Sequence, residues 1–172
     1  MAMNERLNQL GQAARRLNEG SDQLNGLISA IDKALSRLMI GMDYVHPRPL
    51  QELMSVGRDG KQVIELSFLG YLRIQSEYHL CIKTVKIVES RVAAASERPG
   101  AVTPLLSAPR TLRHAAVDLL PELIKVLSHQ VGDLVAQMER RCETAKSMLE
   151  QLEGLEAHIA ASRDPLVKDP PR

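Results

Sequence analysis

From Thr111 to Ala161 an apolar residue returns every three or four positions without interruption, and this one pattern limits the chain to very few shapes. Starting at Val117, an alternating three-four walk reads Val117, Leu120, Ile124, Leu127, Val131, Leu134, Met138, Arg141, Ala145, Met148, Leu152, Leu155 and Ile159, and only Arg141 is polar. Such spacing places every member on one stripe of a helix, with the mean period of a coiled-coil seam. The flanks are charged (Glu122, Lys125, Asp133, Glu139, Glu143, Lys146, Glu150, Glu153), as a solvated outer side requires. A helix of this extent is roughly 75 Å long at 1.5 Å per residue. So long an amphipathic rod must find something to cover its stripe.

A second seam at the other end of the chain offers a cover. The same walk from Leu7 reads Leu7, Leu10, Ala14, Leu17, Ser21, Leu24, Ile28, Ile31, Leu35, Leu38 and Met42, with Ser21 the one polar member. Gly20 could split it, with Ser21 as a new N-cap, yet the phase continues across it, which favours a continuous or gently bent rod. Gly41 and the Pro47–Pro49 pair predict its end. The two seams are expected to pack as an antiparallel helical hairpin. With Met42 level with Val117, Ser21 lies opposite Met138 and Arg141 beside Asn18. The two polar seam residues then share a layer that can fix register, with Asp22 or Glu19 placed to neutralise Arg141. Snorkelling of Arg141 from the seam edge is the plainer alternative.

The middle of the chain changes period. Leu50–Val56 is a weak strand, Gly57-Arg58-Asp59-Gly60 carries the Asp-Gly turn signal, and Ile64, Leu66, Phe68, Leu72 and Ile74 alternate with Glu65, Ser67 and Arg73. After a turn at Gln75-Ser76-Glu77, Tyr78, Leu80 and Ile82 resume the alternation. Val85 and Ile87 sit on the opposite parity, from a bulge near Lys83-Thr84 or from burial on both faces. The expected class is therefore α+β and mainly α, a long antiparallel coiled-coil-like hairpin carrying a small three-stranded antiparallel meander. Its layout is a helix over 1–43, the meander over 44–91, a connector over 92–110, a helix over 111–161 and a disordered tail over 162–172. Ser107 is the expected N-cap of the second helix, and Pro121 is expected to kink it.

Chemistry finds little footing. The five histidines are scattered, with no HExxH and no paired CxxC; His79 and Cys81, on one strand face, are the only pair near enough to cooperate. Gly57–Lys61 lacks the length and the hydroxyl residue of a phosphate loop. No catalytic, cofactor or metal site is expected, and no small-molecule substrate is evident. Two cysteines do not make a disulfide framework, and no leader-like segment or 18-residue apolar run occurs, so a cytoplasmic protein away from membranes is expected.

Residues 48–113 hold ten bases against six acids. This mild excess supports one competing reading, a nucleic-acid-binding module whose basic cap comprises Arg58, Lys61, Arg73, Lys83 and Lys86, with Phe68, Tyr71 and Tyr78 as a stacking platform. The leading expectation is a non-enzymatic interaction, scaffold or chaperone-like protein. It would assemble through coiled-coil and sheet-edge contacts as a homo-oligomer, most simply a dimer.

Three stretches, SDQLNGLISAIDKAL, FLGYLRI and LLSAPRTLRHAAVDLLPELI, resemble a group of uncharacterised bacterial proteins that place a small sheet between amino- and carboxy-terminal helices. That resemblance implies a layout and no activity. The layout is also similar to that of prefoldin subunits, whose coiled-coil helices flank β-hairpins, in architecture alone.

Overall fold

The structure is a computed structural model and describes residues 2–89, 96–98 and 100–162. In chain order it has helix α1 (Ala2–Arg37), strands β1 (Tyr44–Val45), β2 (Gln51–Val56), β3 (Gln62–Ile74), β4 (Glu77–Glu89), β5 (Ser96–Arg98) and β6 (Val102–Pro104), a single 3-10 turn (Leu105–Ser107), and helix α2 (Arg110–Ser162). The class is α+β and mainly helical. No described helix is long and apolar enough to cross a membrane. The chain divides into two compact units, residues 1–125 and 126–172. The expected disordered tail, apart from Ser162 at the end of α2, lies outside the described residues.

The first unit is built on the β3–β4 hairpin. Thirteen pairs run without a break from Gln62–Glu89 to Ile74–Glu77, and Gln75 takes a left-handed φ of 58° at the two-residue turn. Lys83 pairs with Phe68 and Thr84 with Ser67 in register, so no bulge explains the parity switch. Burial on both faces does, since Leu80, Cys81 and Ile82 are buried in succession. The Asp-Gly turn before β3 forms as its residues predict, with Gly57 N donating to Lys61 O at 2.8 Å and Gly60 at φ 74°.

Both edges of the hairpin are extended, beyond the three expected strands. β1 and β2 pair end to end along β3, and β5 and β6 do the same along β4, all antiparallel. Gly100 makes the second edge possible. A Cβ there would land on the Thr84 carbonyl oxygen, while Thr84 N donates to Ala101 O at 2.9 Å.

One sheet face carries the core. Leu69, Tyr71 and their partners Leu80 and Ile82 share that face and are nearly inaccessible. This corrects the expected parity. Ile64, Leu66, Phe68 and Leu72 point to the other face and remain only partly covered. The reason lies in where the helices sit. Tyr71 Oη donates to Leu35 O of α1 at 3.1 Å, which fixes α1 on the odd-numbered side.

The helix pairing also differs from the expected antiparallel zipper. Arg110 reaches Leu17 O at 2.6 Å and Asn18 Oδ1 at 3.2 Å, and one turn later His114 Nε2 lies 3.3 Å from Ser21 Oγ. The contacts advance together along both helices, so at this meeting point α1 and α2 run in the same sense. A seam with Met42 level with Val117 is not formed. The physical cause is the sheet, which takes the later half of α1 through Asp32 and Leu35 in place of a second rod, while Ser21 is buried against His114 of α2. α1 ends at Arg37, earlier than expected, because Met39 already adopts a left-handed φ of 48°. It runs through Gly20 unbroken, as the phase of the seam predicts. At the start of α2, Arg113 N donates to Pro109 O, so Pro109 and not Ser107 occupies the N-cap position.

Candidate protein-interaction surface

Asp32 and Ser36 stand one turn apart on α1, facing the free edge of β4 beyond the end of β6. Asp32 Oδ1 accepts from Leu80 N at 2.6 Å and its Oδ2 lies 2.9 Å from His79 Nδ1, while Ser36 Oγ donates to Tyr78 O. His79 Nε2 faces Glu77 Oε2 at 3.6 Å. The trio of Ser36, His79 and Asp32 has the composition of a hydrolytic relay but not its geometry. Hydroxyl and carboxylate both approach Nδ1, at 3.4 and 2.9 Å, and the serine proton is committed to a backbone carbonyl. A relay needs the imidazole to bridge the two with opposite nitrogens. The cluster is a clamp that satisfies the strand edge and docks α1.

A cleft of about 690 Å³ opens beside this clamp, lined by Lys33, Arg37, Arg73, Glu77, Tyr78 and Met39 among others. Its cations have a local explanation, since Lys33 and Arg37 stand in the last turns of α1, where basic side chains are stabilised by the unpaired carbonyls.

On the other side of the sheet face, buried His46 is fixed by Arg48 N, which donates to its Nδ1 at 3.1 Å. Its Nε2 lies 3.2 Å from Glu122 Oε2 of α2 without a hydrogen bond between them. Burial, and then the Glu122 charge, raise the Tyr44 hydroxyl above its ordinary range. Cys81 is fully buried and its thiol is pushed up to about 12, first by desolvation. His79, the other member of the pair read from the strand, has its Nδ1 held by Asp32 at 2.9 Å.

The residues of the basic cap are dispersed. Arg58 and Lys61 sit at one end of the hairpin and Arg73 at the other, separated by the length of β3, about 40 Å at 3.3 Å per residue. Lys61 lies 3.5 Å from Asp59 and Lys86 3.1 Å from Glu65. Lys83 shares the outer face with Phe68, whereas Tyr71 is buried on the helix-bearing face. Phe68 and Tyr71 therefore do not form one stacking platform. Of the polar seam residues, Ser21 is buried against His114, Asp22 is exposed, and Arg141 is exposed in the second unit.

The described part of the second unit is a stretch of α2, and every residue from Gly132 to Ser162 in it is exposed. Its side-chain hydrogen bonds stay within the helix, as in Thr144 Oγ1 to Arg140 O at 3.0 Å and Ser162 Oγ to His158 O at 2.8 Å. Eight large apolar side chains lie open on it: Leu134, Val135, Met138, Met148, Leu149, Leu152, Leu155 and Ile159. They form one stripe broader than a strict coiled-coil seam, because Val135 and Leu149 add a third line beside it. Among the residues described, this is the molecule's most extended apolar surface without a cover. Its periodicity was legible in the sequence. That it is left exposed was not, because a period alone does not say what covers a seam. The chain was compared with protein families, with curated proteins and with solved structures, and none of the three comparisons finds a match.

Proposed function

We propose that this protein is a non-enzymatic interaction module that self-associates through the apolar stripe of α2 between Leu134 and Ile159. The observation that carries the reading is the exposure of that stripe, with Leu152 57 % and Leu155 55 % accessible. An isolated helix gains little from propensity alone and depends on packing of its apolar side. At ~25 cal/mol per Å², a large aliphatic side chain worth ~1.5–3 kcal/mol corresponds to roughly 60–120 Å². Eight such side chains supply on the order of 500–900 Å² per copy, which brackets the roughly 800 Å² per partner of a standard stable interface. A surface of this size left in water favours association or precipitation, and the dense acidic and basic residues on the helix's outer side keep it soluble.

Light scattering after gel filtration tests the reading. The wild-type chain is expected at twice its 19.1 kDa mass at micromolar concentration, and a Leu152→Glu, Leu155→Glu double variant at the single-chain mass with its thermal unfolding retained. A wild-type chain that stays single up to hundreds of micromolar overturns the proposal. Salt-sensitive retention on heparin by an otherwise single chain would put a nucleic-acid partner in its place.

A further inference from the structure

We infer that the occupant of the stripe is the same stripe of a second copy, running antiparallel about a two-fold axis near Lys146–Ser147. This rests on the association proposed above and adds its partner and geometry.

Direction is set by the residues beside the seam. On one side of it stand Val135, Cys142, Leu149 and Glu156, and on the other Gln137, Thr144, Gln151 and His158. In a parallel pair each side meets the opposite side of its mate, so Cys142 and Leu149 would face Gln137 and Thr144. In an antiparallel pair like meets like. Cys142 then lies beside Leu149 of the second copy, and Thr144 beside Gln151. That edge is apolar at its centre, with Val135 and Glu156 meeting at its ends, and the polar line is paired on the other edge.

Arg141 points the same way. It is the one charge within the seam, and in a parallel pair it would occupy the same layer as its own copy, guanidinium against guanidinium. Running the helices oppositely sets the two arginines about 16 Å apart along the axis at 1.5 Å per residue and places each in the layer of a Leu152. Like charges juxtaposed in a buried layer are a recurrent device against the unwanted orientation.

Register follows from overlap. Setting Leu134 against Ile159 of the second copy gives every seam residue between them a counterpart, including Ala145 against Met148 at the centre. Sliding by one heptad toward the carboxy terminus strands two layers. Sliding the other way draws in residues before Leu134, where the exposed stripe ends.

Pulsed dipolar electron resonance on the full chain separates the outcomes. A nitroxide is placed at Asp133→Cys or Ser147→Cys in a Cys142→Ser background. Both positions are exposed on the outward side of the helix, and buried Cys81 does not compete for label. The antiparallel pair predicts a short separation at 147 and, at 133, one of at least ~40 Å, the axial span of the overlap at 1.5 Å per residue. Equal short distances at both positions mean a parallel pair, which overturns this inference and leaves association standing. A single-chain mass with no dipolar signal at either position overturns both.

Discussion

In the first unit, Ser21, Ile28 and Leu35 mark a line along α1 at intervals of seven residues, and all three are buried. In the second, Met138, Ala145, Leu152 and Ile159 follow the same interval along α2 and lie in water. The difference comes from what stands opposite. Across from α1 is a sheet face whose central residues, Leu69, Tyr71, Leu80 and Ile82, form a flat apolar floor, and the polar groups between them are satisfied in detail. Leu80 N is met by Asp32, Tyr78 O by Ser36 and Ser21 by His114. The second stripe has unlike flanks and one charge within it, exposed Arg141, and on these features the proposed pairing rests. A seven-residue period therefore reports that a helix has an apolar side. The chemistry flanking that side reports what covers it.

The comparison is most sharply broken by removing one leucine from each region. Leu123, inaccessible in the core of the first unit, is expected to lose about 2–5 kcal/mol of stability as Leu123→Ala, from lost burial plus the cavity left behind. Leu152→Ala, measured by urea denaturation where the chain is single, should change the unfolding free energy by no more than about 0.5 kcal/mol, as for an exposed position. An equal, concentration-independent loss in the two variants would mean that the α2 stripe is buried within its own chain.

Next comes the clamp. Asp32→Ala removes the acceptor of Leu80 N and the nearer carboxylate beside His79, and an orphaned backbone donor costs about 1–3 kcal/mol. Asp32→Asn keeps an acceptor and should recover part of that loss. Glu77→Gln, which faces the exposed side of the same imidazole, should change stability by only a few tenths of a kcal/mol, because that pair is solvated. Chemical denaturation of the three variants at fixed pH gives the order. Asp32→Ala no worse than Glu77→Gln would show that the strand edge needs no cap.

A third effect is expected in alkali. The Cys81 thiol ordinarily ionises near 9 and is pushed up to about 12 by burial in the folded chain, and burial followed by the Asp32 and Tyr78 charges raises Tyr71 as well. Above pH 9 the unfolded chain thus holds fewer protons than the folded one, and stability falls as pH rises. The contribution is fully present below pH 9 and is lost on the way to about 12. By pH 10 the loss from the thiol is on the order of 1.4 kcal/mol, one unit's worth. Denaturation midpoints at pH 8, 9 and 10 should show the slope, and Cys81→Ala should flatten it whatever its effect on absolute stability. In a Cys142→Ser background, association through the second unit has no comparable buried acid and should keep its affinity over the same range.

Much of the first unit could be read from residue order. Alternation located β2, β3 and β4, and the Asp-Gly turn located their junction, because these signals are local. The added edges β1, β5 and β6 are two or three residues long, shorter than any period can register, and their pairing depends on the 13-residue partners beside them. The buried face was misassigned because both parities of β3 are apolar near its middle. Only the Tyr71 hydroxyl reaching Leu35 decides between them, a contact 36 residues apart in the chain. The clamp was invisible for the same reason, since Asp32 reads as an ordinary solvated helix acid until β4 is set beside it. The apolar stripe and the unusual Arg141 were legible outright.

The smallest expected effect separates stability from direction at that arginine. Arg141→Leu converts the one charge of the α2 seam into a residue like its neighbours. A lone charge within an apolar layer is retained at some cost in stability, so the variant should associate more tightly, by about 1 kcal/mol or roughly fivefold. It should also be less particular about how its mate is turned, because the repulsion that excludes the parallel pair has gone. The dipolar experiment with the label at 133 would then show a short distance beside the long one. If the variant binds more weakly and keeps a single long distance, the flanking residues Val135, Cys142 and Leu149 alone fix the orientation, and Arg141 contributes affinity through a polar contact with the second copy's Gln151.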